Sequence, residues 1–111
     1  MDIMPETKTK KRTEAVIRPR IAPKDDVQEP SLFRVIYIND EVTTMEFVVE
    51  SLRSVFGYTE DQAEELTAAI HRDGSATVAI LPYEIAEQKG IEVTVLARNN
   101  GFPLQVKLEA N

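Results

Sequence analysis

A chain of 111 residues with a formal net charge of −6 and no cysteine has the length for one domain with a modest core, and it excludes a disulfide framework and a thiolate metal site. The charge is uneven: residues 1–30 hold seven Lys/Arg against six Asp/Glu, whereas residues 31–111 hold six against thirteen, so the foldable part is acidic and lacks the basic stripe of a nucleic-acid binder. No apolar run approaches the roughly 20 residues of a spanning helix, and residues 1–20 lack the apolar core of a secretory signal, so a cytoplasmic protein with no membrane partner is expected.

Residues 1–30 read as a flexible N-terminal extension, disordered because charge and the scattered Pro5, Pro19, Pro23 and Pro30 leave little to bury. Its stretch from Lys8 to Arg20 holds six Lys/Arg against the single acid Glu14. That stretch is a solvated tail or, alternatively, a short arm for a partner. Residues 31–111 form the folded core domain.

The first element is a strand, Leu32 to Ile38, rich in β-branched and aromatic residues, with Leu32, Arg34, Ile36 and Ile38 on one face and Phe33, Val35 and Tyr37 on the other. Thr43 and Glu46 are spaced as a capping box ahead of Met45, Val48, Val49, Leu52, Val55 and Phe56, whose intervals of three and four make one helical stripe that Gly57 ends. A second box, Thr59 with Gln62, starts a helix through Ala63, Leu66 and Ile70 that stops at Gly74. Ser75 to Leu81 reads as a strand. Pro82 suits the first turn of a third helix reaching about Asn100, weakened at Gly90 by about 1 kcal/mol relative to Ala. After Gly101, the alternation of Leu104, Val106 and Leu108 with Gln105 and Lys107 predicts a last strand. The order strand, helix, helix, strand, helix, strand predicts an α+β domain, a small sheet with three helices packed on one face.

The polar run Asn39-Asp40-Glu41 falls between the first strand and first helix, where a loop on rigid elements can aim polar groups at a ligand. The bland alternatives are concrete. Asn39 and Asp40 serve equally well as turn residues, His71 is favoured in a last helical turn by the helix dipole, and Met45 and Val48 fit an ordinary core. A hydrolase built on His71 with Asp40 or Glu41 lacks a nucleophile: there is no cysteine, no second histidine and no Gly-x-Ser-x-Gly elbow. No cofactor or metal is implied.

Several motifs in order carry a resemblance: Asn39-Asp40-Glu41-x-Thr43-x-Met45-Glu46-Phe47, His71-x-x-Gly74, Tyr83-Glu84-Ile85-Ala86-Glu87-Gln88-Lys89 and Phe102-Pro103-Leu104. Over about residues 32–109 the chain resembles the bacterial ClpS adaptor family. The resemblance implies a three-stranded antiparallel sheet covered by three helices and a non-catalytic role. It implies capture of proteins whose destabilising first residue is Leu, Phe, Tyr or Trp, and their transfer to the ClpA unfoldase, an AAA+ machine, of the ClpAP protease. By the same resemblance Asn39, Asp40, Glu41, Thr43 and His71 hold the N-terminal amine and first peptide group. Met45, Val48, Thr67, Ile70 and Leu104 line the side-chain pocket, while Glu84 and Lys89 dock the unfoldase. A monomer is expected. The chemistry suits the task, because an α-amino group with a pKa of about 7.7 to 8.0 is largely protonated at neutral pH and calls for acceptors beside an apolar cavity.

Three positions depart from the family pattern: Glu41 stands where Asp is usual, Thr44 where Pro is, and Thr67 where Met is. Glu41 moves its carboxylate by about one methylene, Thr44 loses the fixed φ of proline at a helix start, and Thr67 replaces a flexible apolar wall with a β-branched polar one. An alternative of another class is a protein-interaction domain resembling the ribosomal stalk C-terminal domain, which would bind through helices without an amine pocket.

Overall fold

The computed structural model describes residues 29–111. The extension expected over residues 1–30 therefore lies, up to residue 28, outside the described residues. In chain order the elements are β1 (Leu32–Ile38), α1 (Met45–Phe56), α2 (Glu60–Asp73), β2 (Ser75–Pro82), α3 (Tyr83–Asn99) and β3 (Gln105–Ala110). The strands form one sheet in the order β2-β1-β3, both pairings antiparallel.

The alternation in β1 sorts the two faces of that sheet. Val35 and Tyr37 are fully buried and join the core with Leu52 of α1, Ile70 of α2 and Val93 of α3. Arg34 stands on the other face, where its guanidinium bonds Thr77 and Glu109, and Lys107 also reaches Glu109 at 2.9 Å. Ile36 shares that face yet is only 8% exposed, so the polar side lacks the depth of the core but is not bare. Tyr37 exchanges a 2.8 Å hydroxyl bond with the buried Ser51, which satisfies two polar groups inside the core. Burial pushes the Tyr37 phenol well above its ordinary value.

The second capping box forms as the spacing predicts: Thr59 Oγ1 accepts from Gln62 N–H at 3.2 Å, and Gln62 Oε1 accepts from Thr59 N–H at 3.0 Å. The first does not. Thr44, not Thr43, caps α1 and accepts from Phe47 N–H at 3.1 Å. The reason is competition, since Asp40 engages Thr43 through both its N–H and its hydroxyl and leaves the cap to the next threonine. Gly57 and Gly74 close α1 and α2 in the left-handed region, at φ 78° and 87°, a conformation glycine adopts without a Cβ penalty. Pro82 is the last residue of β2 and the cap position of α3, one step before the first turn. Leu104 precedes β3 and is 1% exposed.

One backbone contact positions the rest. Ile38 pairs with Ser75, and Asn39 N–H donates to Gly74 O at 2.9 Å. The end of β1, which carries the polar run, is thereby bound to the end of α2, which carries His71.

Candidate functional site

Asp40 organises the loop between β1 and α1. Its Oδ1 accepts from Val42 N–H at 2.8 Å and Thr43 N–H at 2.7 Å, and its Oδ2 accepts from the Thr43 hydroxyl at 2.8 Å. Partial burial alone would raise the carboxyl. The bonds from Thr43 and Val42 outweigh it and, with the positive charge of Arg98 nearby, hold Asp40 below the usual carboxylate range. A carboxylate offers about four acceptor positions; three are filled from within, so one remains for an outside donor. Asn39, Glu41 and His71 are exposed and Thr43 is half-buried. The turn reading of Asp40 and the ligand reading are therefore compatible: the same side chain builds the loop and keeps an acceptor free.

The apolar candidates separate into two groups. Val48, Ile70 and Leu104 are 6%, 2% and 1% exposed and belong to the main core. Met45 and Thr67 instead line a groove of about 370 Å³ between α1 and α2, together with Val49, Glu46, Glu60 and Glu64. Met45 is 49% exposed and Thr67 3%. The Thr67 hydroxyl donates to Ala63 O at 2.7 Å, a back-bond within the helix that satisfies this buried hydroxyl.

On α3, Glu84 is exposed in the first turn, whereas the Lys89 ammonium donates to Val55 O at 2.9 Å and closes one of the free carbonyls ending α1. The two docking candidates thus share a helix but not a role in the fold.

Sequence reasoning missed Arg98. Its Nη1 donates to Phe102 O at 3.0 Å and Leu104 O at 2.8 Å, fixing the segment after α3, and Phe102 packs against Phe47 with ring centroids 5.1 Å apart. The signal available was a basic residue in a last helical turn, which does not reveal carbonyls folded back onto it. The glutamate rim of the groove was also missed, because Glu46 belongs to a different helix from Glu60 and Glu64. Among the described residues no group of three or more His, Asp or Glu converges to hold a metal, and no helix is long and apolar enough to cross a membrane.

Comparison with known proteins bears on the same region. Residues 28–107 match the family model "ATP-dependent Clp protease adaptor protein ClpS". A Treponema denticola protein described as an ATP-dependent Clp protease adapter protein ClpS is 46% identical over 81 residues, covering 73% of this chain and 80% of that protein. One of the same description from Nitratidesulfovibrio vulgaris is 43% identical over 86 residues, 78% of this chain and 83% of that protein. The solved structure of Agrobacterium tumefaciens ClpS2 bound to L-phenylalaninamide superposes with a TM-score of 0.73 at 38% identity, covering 75% of this chain and all of that one.

Proposed function

The chain belongs to the ClpS family of ATP-dependent Clp protease adaptors, and from that premise we propose that it captures proteins through a free N-terminal amine and the side chain beside it. The family role is non-catalytic, and the family match displaces the stalk-like alternative. One observation carries the proposal: Asp40 is held ionised by three internal bonds with an acceptor position to spare, at the junction of β1 and the end of α2. An ammonium gains most from an acceptor already oriented, because no side-chain freedom is lost on binding.

Asn39, Thr43 and His71 complete the amine and first-peptide site, with Glu41 at its edge. Met45 and Thr67 line the mouth of the side-chain pocket, backed by Val48, Ile70 and Leu104. The preferred first residues are Leu, Phe, Tyr and Trp. The solved relative supports this class, since its ligand, L-phenylalaninamide, combines an α-amine, a ring and no carboxylate. The receiving partner is the ClpA-type unfoldase, docked through Glu84 and Lys89 by a monomeric adaptor in the cytoplasm. Residues 1–30 act as the extension that the unfoldase engages: deletion of residues 1–25 should spare peptide capture and abolish delivery, and full-rate degradation of a Phe-initiated substrate would refute that role.

The test of capture is a pair of peptides that begin with Phe and differ only in N-acetylation. Fluorescence anisotropy should show binding of the free peptide alone. Equal affinity for both would refute amine capture.

A further inference from the structure

The two edges of the sheet are finished differently. β2 meets β1 through a register shift between Val35 and Ile36 and ends in Pro82, and both features discourage a further strand. β3 pairs with β1 over Gln105–Ala110 without a shift and holds no proline. Asn111 N–H donates to Leu32 O at 2.9 Å. By the alternation of an antiparallel ladder, the backbone groups of Gln105, Lys107 and Glu109 therefore point to β1, and those of Val106, Leu108 and Ala110 point away from it. Among the described residues that outward row has no backbone partner. Beside it, between α3 and β3, lies a groove of about 260 Å³ whose apolar lining is chiefly Ile91, Val95, Val106 and Leu108. Ile91 and Val95 are 58% and 52% exposed.

We propose that this edge and groove form an interface with a second copy of the chain, the two β3 strands pairing antiparallel about a twofold axis at Leu108. The sequence of β3 selects that register. Centred on Leu108, the outward groups of Val106, Leu108 and Ala110 meet the partner's Ala110, Leu108 and Val106, so the whole row is paired. Lys107 then lies opposite the partner's Glu109, and Glu109 opposite the partner's Lys107, in the closer, non-hydrogen-bonded kind of pair. The registers centred one residue to either side fail on charge. One sets Lys107 against the partner's Lys107, the other Glu109 against the partner's Glu109, and like charges directly opposite each other destabilise a sheet.

The helix side agrees with the strand side. Leu108 of both copies meets at the axis, next to the grooves that Ile91 and Val95 line, so the pair covers apolar side chains that a lone chain leaves to water. Such a contact is isologous, each copy offering the same patch. It is confined to a six-residue strand and one helix face, the size class of weak, reversible interfaces, so the pair coexists with the monomer that serves the unfoldase. None of the residues proposed for capture or docking lines the groove.

The experiment is sedimentation equilibrium of the full chain. Between about 10 µM and about 1 mM, a range that brackets weak association, the mass should rise from 12.5 kDa toward twice that value. Lys107→Glu and Glu109→Lys should each weaken association about tenfold or more, because each sets two like-charge pairs across the axis. An equimolar mixture of the two variants should recover it, since in the mixed pair every charge again meets its opposite, and misfolding of either variant does not produce that recovery. A mass that stays at 12.5 kDa throughout, or a mixture that associates no better than its components, overturns the inference. Association that appears only after removal of residues 1–25 also overturns it, because the edge would then belong to the chain's own extension.

Discussion

The Asp40 loop and the α1–α2 groove lie side by side, yet they are built on opposite plans. In the loop, the side chain proposed to meet the ligand is already bonded three times to its own neighbours. In the groove, Met45 stands half exposed, Thr67 turns its hydroxyl to Ala63, and the rim glutamates have no ion-pair partner among the described residues. The loop should resist substitution, because the carboxylate proposed to meet the amine also holds its fold. In the groove the exposed side chains, Met45 and the rim glutamates, make no such bonds among the described residues, so substitution there should cost the fold little. On the proposed reading of capture by the amine, this division sets the feature common to all substrates against the internally bonded loop and the variable side chain against the more open groove.

The same contrast recurs on α3. Lys89 is tied to the last turn of α1, whereas Glu84 has no side-chain hydrogen bond or ion pair among the described residues. Arg98 belongs with the bound class, since it holds the segment of Phe102 and Leu104 through two carbonyls.

The largest expected effect tests the rigid side. Asp40→Asn keeps an oxygen for the Val42 and Thr43 N–H groups and removes the charge, so the fold should persist while affinity for a Phe-initiated peptide falls. A hydrogen bond to a charged group is worth roughly 1.5 to 3 kcal/mol, or about tenfold to a hundredfold. Anisotropy showing unchanged affinity would mean that the loop is only structural. Stability carries a matching signature. The Asp40 carboxyl is held below its ordinary value, so its contribution is fully present above the unfolded value of about 3.9 and fades as pH falls through the folded one. Denaturation of the native protein and of Asp40→Asn should therefore differ by a constant amount well above the unfolded value and draw together only as the pH falls below it, through the folded one. Convergence at higher pH would deny the internal bonds their role.

An intermediate effect separates the two residues of α3. Replacing Glu84 and Lys89 together by Ala should weaken association with the unfoldase while peptide affinity holds. Taken singly they should differ. Glu84→Ala should cost about two- to fivefold in association, as exposed charges do, with an unchanged melting temperature. Lys89→Ala also frees the Val55 carbonyl, a loss of about 1 kcal/mol, and should lower the melting temperature by about 4 to 8 °C. Identical melting curves for the two variants would show that the Lys89 bond contributes nothing, and loss of peptide binding in either would show that the two surfaces are not independent.

How far the sequence reached reflects the same division between local and distant bonds. The limits of β1, the box at Thr59 and Gln62, and the glycines after α1 and α2 are all governed by residues within four of each other, and the spacing predicted them. The cap of α1 was assigned one residue early because Thr43 and Thr44 both have the right chemistry; only the position of Asp40 decides between them. Pro82 was likewise placed one step late, since a residue closing a strand and one opening a helix have the same φ. The bonds from Lys89 to Val55, 34 residues apart, and between Tyr37 and Ser51 depend on packing that no local pattern encodes. The candidate site shows the same limit: its motif could be recognised along the chain, but the exposed glutamates that join Met45 and Thr67 around one groove come from two helices and became visible only when these met.

The smallest expected effect tests the groove, at Thr67, where the resemblance led the sequence reading to expect a methionine. On the proposed reading, Thr67 walls the side-chain pocket with a shorter side chain than methionine, which should leave more room and let a large ring recover contact that a Leu side chain does not. Each buried methylene is worth about 0.8 kcal/mol, which limits the gain from Thr67→Met to a few fold. The substitution also removes the bond to the Ala63 carbonyl, but that carbonyl is still available to the helix backbone, so the fold should accept the change. With four peptides differing only in the first residue, Thr67→Met should improve Leu by about three- to fivefold and leave Trp nearly unchanged, with Phe and Tyr between. An equal gain for all four would assign the wall to general affinity. No gain at all would mean that the flexible Met45, half exposed on the opposite helix, already fills the space that Thr67 leaves.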